Sequence, residues 1–223
     1  NVHHTTTRCL VLENTHNARG GKILPISYLR EVAALCHQHS IKLHCDGARL
    51  WNAAVGLGVE PKVLLEGFDT ASVCLSKGLG APMGSVLVGS ASFITEARRC
   101  RKMLGGGLRQ VGVVAAAGLF GLRNLLNRLS DDHKMATSLA EGIKSIGLEI
   151  IEPQTNIVIW KVPSLSRSVF LEECGNRGLK LVGMGPDGNV RAIPHYGNSM
   201  EQVEEAITIV REVVKKMRCD GAM

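Results

Sequence analysis

Aromatic residues are scarce, with four Phe, two Tyr and two Trp making up 4% of the 223 residues. Sequence-tolerant binding of single-stranded nucleic acid uses aromatic side chains as stacking platforms, so that class is poorly served. No C-x-x-C pair occurs among the seven cysteines, which removes a zinc ribbon and a dithiol redox motif. The count is odd, and Cys9, Cys36, Cys45, Cys74 and Cys174 lie in or beside apolar runs; they read as reduced core thiols in a reducing compartment such as the cytosol. The most apolar window, 111–126, is interrupted by Gly112, Gly118, Gly121 and Arg123 and is short for a bilayer span, so no membrane partner is expected. The first residues lack a basic stretch followed by an apolar one, which speaks against a secretory signal. The chain begins without Met and runs almost at once into an apolar segment, an arrangement expected if something upstream has been removed.

Glycine and balanced charge are plentiful. Hydrophobic residues make up 45% and charged residues 21%, with 25 glycines, a globular composition suited to tight turns around a ligand. The net charge of +6 is spread among acids apart from Arg98-Arg99 and Arg101-Lys102. A solvated basic face and an anionic small ligand both fit that distribution better than nucleic acid does. The length allows one large domain or two modest ones.

Periodicity predicts alternating strands and helices. Strands are expected at 8–13, 41–46, 68–76 and 84–89, with a helix at 26–39 and a helical turn at 63–66. Helices are then expected at 92–103, 108–128 and 131–146, strands at 156–162, 179–182 and 189–193, and a helix at 166–177. A last helix starts at Ser199, where Gln202 completes a possible capping box. This alternation predicts an α/β fold with a largely parallel sheet, in which one reversed strand is possible. Gly105-Gly106-Gly107 marks a hinge between halves, and Met103 and Met184 read as core.

Two segments carry chemistry. In 75–84, LSKGLGAPMG, a lysine leaves an apolar strand and enters a glycine-rich turn; such a lysine is either an exposed loop residue or, if desolvated, an amine able to form a Schiff base. In 44–49, HCDGAR, a carboxylate ends a strand, where open sheets bind ligands. It either caps the next turn or serves a site. Pyridoxal phosphate enzymes need a Schiff-base lysine and, to use the ring as an electron sink, an acid beside the pyridine nitrogen. Lys77 and Asp46 fit those roles.

Together with ENTHN at 13–17, RKMLGGGLRQ at 101–110 and VRAIPH at 190–195, these segments resemble the low-specificity L-threonine aldolase family, in this order and over essentially the whole chain. The resemblance implies a fold-type-I pyridoxal phosphate enzyme. Residues 1–107 would be an incomplete, mostly parallel cofactor-binding domain, 108–129 a connecting helix, and 130–223 a smaller C-terminal α/β domain. It also implies a likeness to only the carboxyl-terminal two-thirds of a family member. A phosphate cradle, a histidine stacked on the cofactor, a serine for the substrate carboxylate and much of the subunit interface would then lie outside this chain, so cofactor retention by these residues alone would be weak.

By motif position, Lys77 resembles the cofactor-anchoring lysine and Asp46 the ring-nitrogen partner. Arg49 and Arg191 resemble the carboxylate clamp, and His3, with His4 adjacent, falls where the family has a histidine near the substrate hydroxyl. Ser76, Lys102 and Arg109 are candidates for phosphate or interface contacts. Asn14, Thr15 and Asn17 either approach the ring hydroxyl or simply form a turn, and Arg19-Gly20-Gly21 reads as an insertion. The implied activity is cleavage of L-threonine or L-allo-threonine to glycine and acetaldehyde by a cytoplasmic dimer or tetramer, placing it in threonine catabolism and glycine biosynthesis. The alternatives are another pyridoxal phosphate-dependent lyase of β-hydroxy or β-eliminating type, and an inactive interaction module. No metal is expected.

Overall fold

The computed structural model describes residues 3–163 and 166–221. They divide into two units, the first running to Thr15 and over Ile23–Asn127, the second comprising His16–Lys22 and the chain from Arg128 onward.

The first unit contains β1 (Cys9–Glu13), α1 (Ile26–Gln38), β2 (Lys42–Gly47), α2 (Leu50–Leu57), β3 (Thr70–Cys74), β4 (Ser85–Gly89), α3 (Ala91–Met103) and α4 (Gly112–Asn124). The strands lie in the order β1-β2-β3-β4; the first three are parallel and β4 is antiparallel to β3. The reversed strand follows from the link at 75–84, since a parallel crossover needs a dozen or more residues. Side chains alternate across the sheet. Cys45, Ala71 and Val73 face a core with Leu29, Leu50, Ala53, Ala54 and Leu64, while Leu43 packs on Ala33 and Cys36. The other face carries His44 and Asp46 beside Thr70 and Ser72, all half-buried, and His44 Nδ1 lies 2.7 Å from Thr70 Oγ1. Asp46 therefore stands on the polar face at the carboxyl end of β2.

Four expectations change here. The helix α2 was not foreseen because its sequence, LWNAAVGL, has no polar stripe to make a helical period visible. The helix expected at 108–128 is confined to α4, since a turn occupies 109–111 and a break precedes Leu129. Met103 is 69% exposed at the end of α3, a helix with no buried residue. The cysteines are all free, but only Cys36, Cys45 and Cys174 are buried; Cys9 is exposed on the edge strand and Cys74 is half-buried. Burial pushes the Cys45 thiol up to about 11 and Cys174 to about 12.

The second unit contains α5 (Leu129–Ser145), β5 (Ile150–Ile151), β6 (Val158–Lys161), α6 (Arg167–Asn176), β7 (Val182–Met184), β8 (Asn189–Ala192) and α7 (Met200–Cys219). Its sheet, in the order β5-β6-β8-β7, is antiparallel throughout. Val158, Trp160 and Val190 pack with Met135, Leu139 and Ile143 of α5, Phe170 of α6, and Val203, Val210, Val214 and Met217 of α7. The strand expected at 179–182 is shifted to β7 because pairing with β8 sets its register. The capping box forms, with Ser199 Oγ accepting from Gln202 N–H and Gln202 Oε1 accepting from Ser199 N–H.

The segment His16–Lys22 packs on this second sheet, far along the chain from it. A bridge joins His16 to Lys22, and a 3-10 turn spans Asn17–Arg19. Thr155 Oγ1 donates to the Gly21 carbonyl at 3.0 Å, and Lys22 Nζ donates to the Glu152 carbonyl. Gly21 has φ +64°, and a Cβ there would sit 2.4 Å from Thr155 Oγ1. Only glycine satisfies both conditions, which gives the apparent insertion at 19–21 a structural purpose.

Candidate active site

Three strand ends converge in the first unit. Beyond β1, Asn14 and Thr15 are buried, and Thr15 has φ +60°, an unusual conformation for a β-branched residue that surrounding contacts must impose. Its Oγ1 lies 2.5 Å from the Asn14 carbonyl and donates to the Arg49 carbonyl at 2.9 Å. Thr15 thereby fixes the turn after β2 from the neighbouring strand. Asn14 Oδ1 accepts from Leu24 N–H at 3.1 Å, while its Nδ2 is buried with no partner among the described residues.

Beyond β2, Asp46 Oδ1 accepts from Ala48 N–H at 3.0 Å, so the turn-capping role is real. Its other oxygen has no partner among the described residues. Beyond β3, Trp51 Nε1 donates to the Cys74 carbonyl at 2.9 Å, anchoring α2 to the strand end. The turn carrying Lys77 closes through Gly80 N–H to the Lys77 carbonyl at 2.8 Å and Leu75 N–H to the Gly84 carbonyl at 3.0 Å. Lys77 and Ser76 are exposed, and Lys77 makes no ion pair among the described residues. The described residues therefore do not desolvate its amine. Burial raises the Cys74 thiol, but hydrogen bonding with Ser76 and the nearby Lys77 charge outweigh it and leave it below the ordinary range.

Helix α4 supports this turn by close approach. A Cβ on Gly121 would stand 2.3 Å from the Leu79 carbonyl oxygen, and one on Gly118 would stand 2.8 Å from the Leu75 side chain. Backbone cannot give way as a flexible side chain can. Gly121→Ala is therefore expected to cost about 1–3 kcal/mol, the usual penalty of overpacking, measured by urea unfolding; an unchanged midpoint would show that the turn yields freely.

The other candidates are dispersed. His3 is exposed in a turn near the start of the described residues. Lys102 lies in the last turn of α3 and Arg109 in the turn before α4; both are exposed, and neither side chain makes a hydrogen bond or ion pair among the described residues. Arg49 is half-buried just past Asp46. Arg191 belongs to the second unit, where its Nη1 donates to Asn17 Oδ1 at 2.7 Å. Sequence reasoning missed this pair and the strained Thr15, because Asn and Thr in such a cluster read as turn formers.

A family described as beta-eliminating lyase matches residues 1–164. The chain belongs to the beta-eliminating lyase family. It is also 39% identical over 219 residues to low-specificity L-threonine aldolase 1 of Arabidopsis thaliana, a match covering 96% of this chain and 61% of that protein. It is 40% identical over 204 residues to the low specificity L-threonine aldolase of Escherichia coli K12, covering 92% and 60%. The chain thus spans about three-fifths of the length of these curated relatives. Its fold matches that of a Leishmania major threonine aldolase at a TM-score of 0.80, with 19% identity and coverage of 96% of this chain and 63% of that one. It likewise matches a Sphingomonas wittichii serine palmitoyltransferase at 0.74, with 20% identity and coverage of 97% and 56%. The architecture is therefore that of fold-type-I enzymes.

The donor set of this beta-eliminating lyase family member suits in kind the cofactor expected from its sequence, but the described residues leave Lys77 exposed rather than desolvated. Asp46 offers an unpaired, half-buried carboxylate oxygen to a protonated ring nitrogen. Lys77 offers an amine tied to no carboxylate among the described residues.

Proposed function

We propose that the chain serves pyridoxal phosphate-dependent retro-aldol cleavage of L-threonine or L-allo-threonine to glycine and acetaldehyde. The observation that carries this reading is the placement of Asp46 and Lys77 at the carboxyl ends of adjacent parallel strands. The bound cofactor would supply a ring able to accept the electron pair of the breaking Cα–Cβ bond. Lys77 Nζ would anchor the cofactor, and Asp46 would keep a proton on its ring nitrogen. Arg49 and Arg191 would bind the substrate carboxylate through planar forks. His3 would take the hydroxyl proton as the bond breaks, and return of a proton to Cα would complete glycine. Ser76, Lys102 and Arg109 would meet phosphate or a neighbouring subunit.

The same reading places the protein in a reducing compartment such as the cytosol, supported by seven free cysteines. It also makes the protein a homo-oligomer, supported by apolar side chains exposed on the first unit, among them Leu104, Val113 and Phe120. No helix among the described residues is long and apolar enough to cross a membrane.

The test is incubation of the purified chain with pyridoxal phosphate and L-threonine, with glycine and acetaldehyde measured together. Equal amounts of both are expected. A keto acid in their place would assign a β-eliminating activity, and no turnover would overturn the catalytic reading for this chain.

A further inference from the structure

We infer that Asn17 is a positioning residue for Arg191, setting the guanidinium for the substrate carboxylate without consuming its charge. The inference rests on the proposed function and deepens it. Arg191 lies on β8 across from Ile159 and Val182, on the sheet face opposite Val190, which is buried in the core. On the Arg191 face lies the strap His16–Lys22. A Cβ on Gly20 would stand 3.2 Å from Ile151 Cγ2 and 3.9 Å from Ile159 Cδ1, so strap and sheet pack closely beside the arginine. The strap is fixed at its far end by Thr155 and Lys22, and Asn17 Oδ1 then accepts from Arg191 Nη1 at 2.7 Å.

The chemistry of the acceptor matters. Long arginine side chains lose considerable rotamer freedom when fixed, so a fork held in advance binds a carboxylate at lower cost. An aspartate at position 17 could hold the fork equally well. It would also neutralise the guanidinium and compete with the substrate for it. A carboxamide orients Arg191 while leaving its full charge and its remaining N–H groups to an incoming anion. Asn17 and Arg191 are 174 positions apart, so the strap brings them together.

The distinguishing experiment compares Asn17→Ala and Asn17→Asp with the unaltered chain, measuring KM and kcat for L-threonine and the thermal unfolding midpoint of each. Asn17→Ala is expected to raise KM roughly tenfold with kcat within about threefold. Asn17→Asp is expected to raise KM further, roughly a hundredfold, while its unfolding midpoint equals or exceeds that of the unaltered chain. Affinity and stability thus move in opposite directions, whereas a merely structural bond would be rescued by aspartate in both. In addition, Asn17→Ala combined with Arg191→Ala should bind no worse than Arg191→Ala alone. An Asn17→Asp protein with ordinary KM, or additive losses in the double variant, overturns the inference and leaves the proposed function standing. An unaltered chain without threonine cleavage overturns the proposed function and this inference together.

Discussion

A Lys77→Ala chain, mixed with pyridoxal phosphate and reduced with borohydride, is expected to carry no cofactor label on the 75–84 peptide, while the unaltered chain is labelled there. Threonine cleavage should fall on the order of a thousandfold or more, the scale seen when a covalently acting group is lost. The variant isolates chemistry from folding. Lys77 is exposed and makes no ion pair among the described residues, and surface replacements of that kind usually stay within about 0.5 kcal/mol. The turn itself is held by backbone hydrogen bonds and by the close approach of α4, neither of which needs the amine. Label found on another lysine, or cleavage that survives the change, would overturn the assignment.

The largest effect on stability is expected from Asp132 in α5. Its side chain is fully buried and paired with Arg128 one helical turn earlier, and the Arg128 guanidinium lies 5.0 Å from the Tyr196 ring centroid. Asp132→Ala strands the cation, a change that typically costs about 3–5 kcal/mol. In a chain of this size that lowers the unfolding midpoint by roughly 10 °C. Replacing both partners, Arg128→Met with Asp132→Leu, should recover most of the loss, because apolar groups of similar volume avoid the desolvation cost. A double variant as unstable as the single one would show that the pair does more than satisfy itself. Burial raises the Asp132 carboxyl above the usual range despite Arg128. The folded state then holds this proton more tightly than the unfolded one, so the residue's contribution is fullest below the unfolded carboxyl value and falls as pH rises through the folded value.

The sequence made legible what depends on short-range pattern. The apolar runs of β1, β2, β3 and β4, the capping box at Ser199 and the carboxylate at the end of β2 are local signals. The structure places them at or close to the expected positions. Helix α2 was hidden because burial on several sides erases amphipathic contrast, and β7 was misplaced because its register is fixed by β8. Within the candidate site, Asp46 and Lys77 could be named from motifs on adjoining strands. The exposure of Lys77 was one of two readings its motif left open, whereas the backbone strain at Thr15 and the Asn17–Arg191 bond could not be read, since each depends on tertiary packing.

The strand β4 leaves one side of the first sheet open. It is the sheet's last strand among the described residues, its five residues are all exposed, and Val86, Leu87 and Val88 leave it apolar on both faces. A bare edge of this kind, with no charge or proline to blunt it, is a template for adding another strand. Among the described residues the first sheet is therefore open on its β4 side to one more strand, whether that strand comes from the same polypeptide or from a second copy.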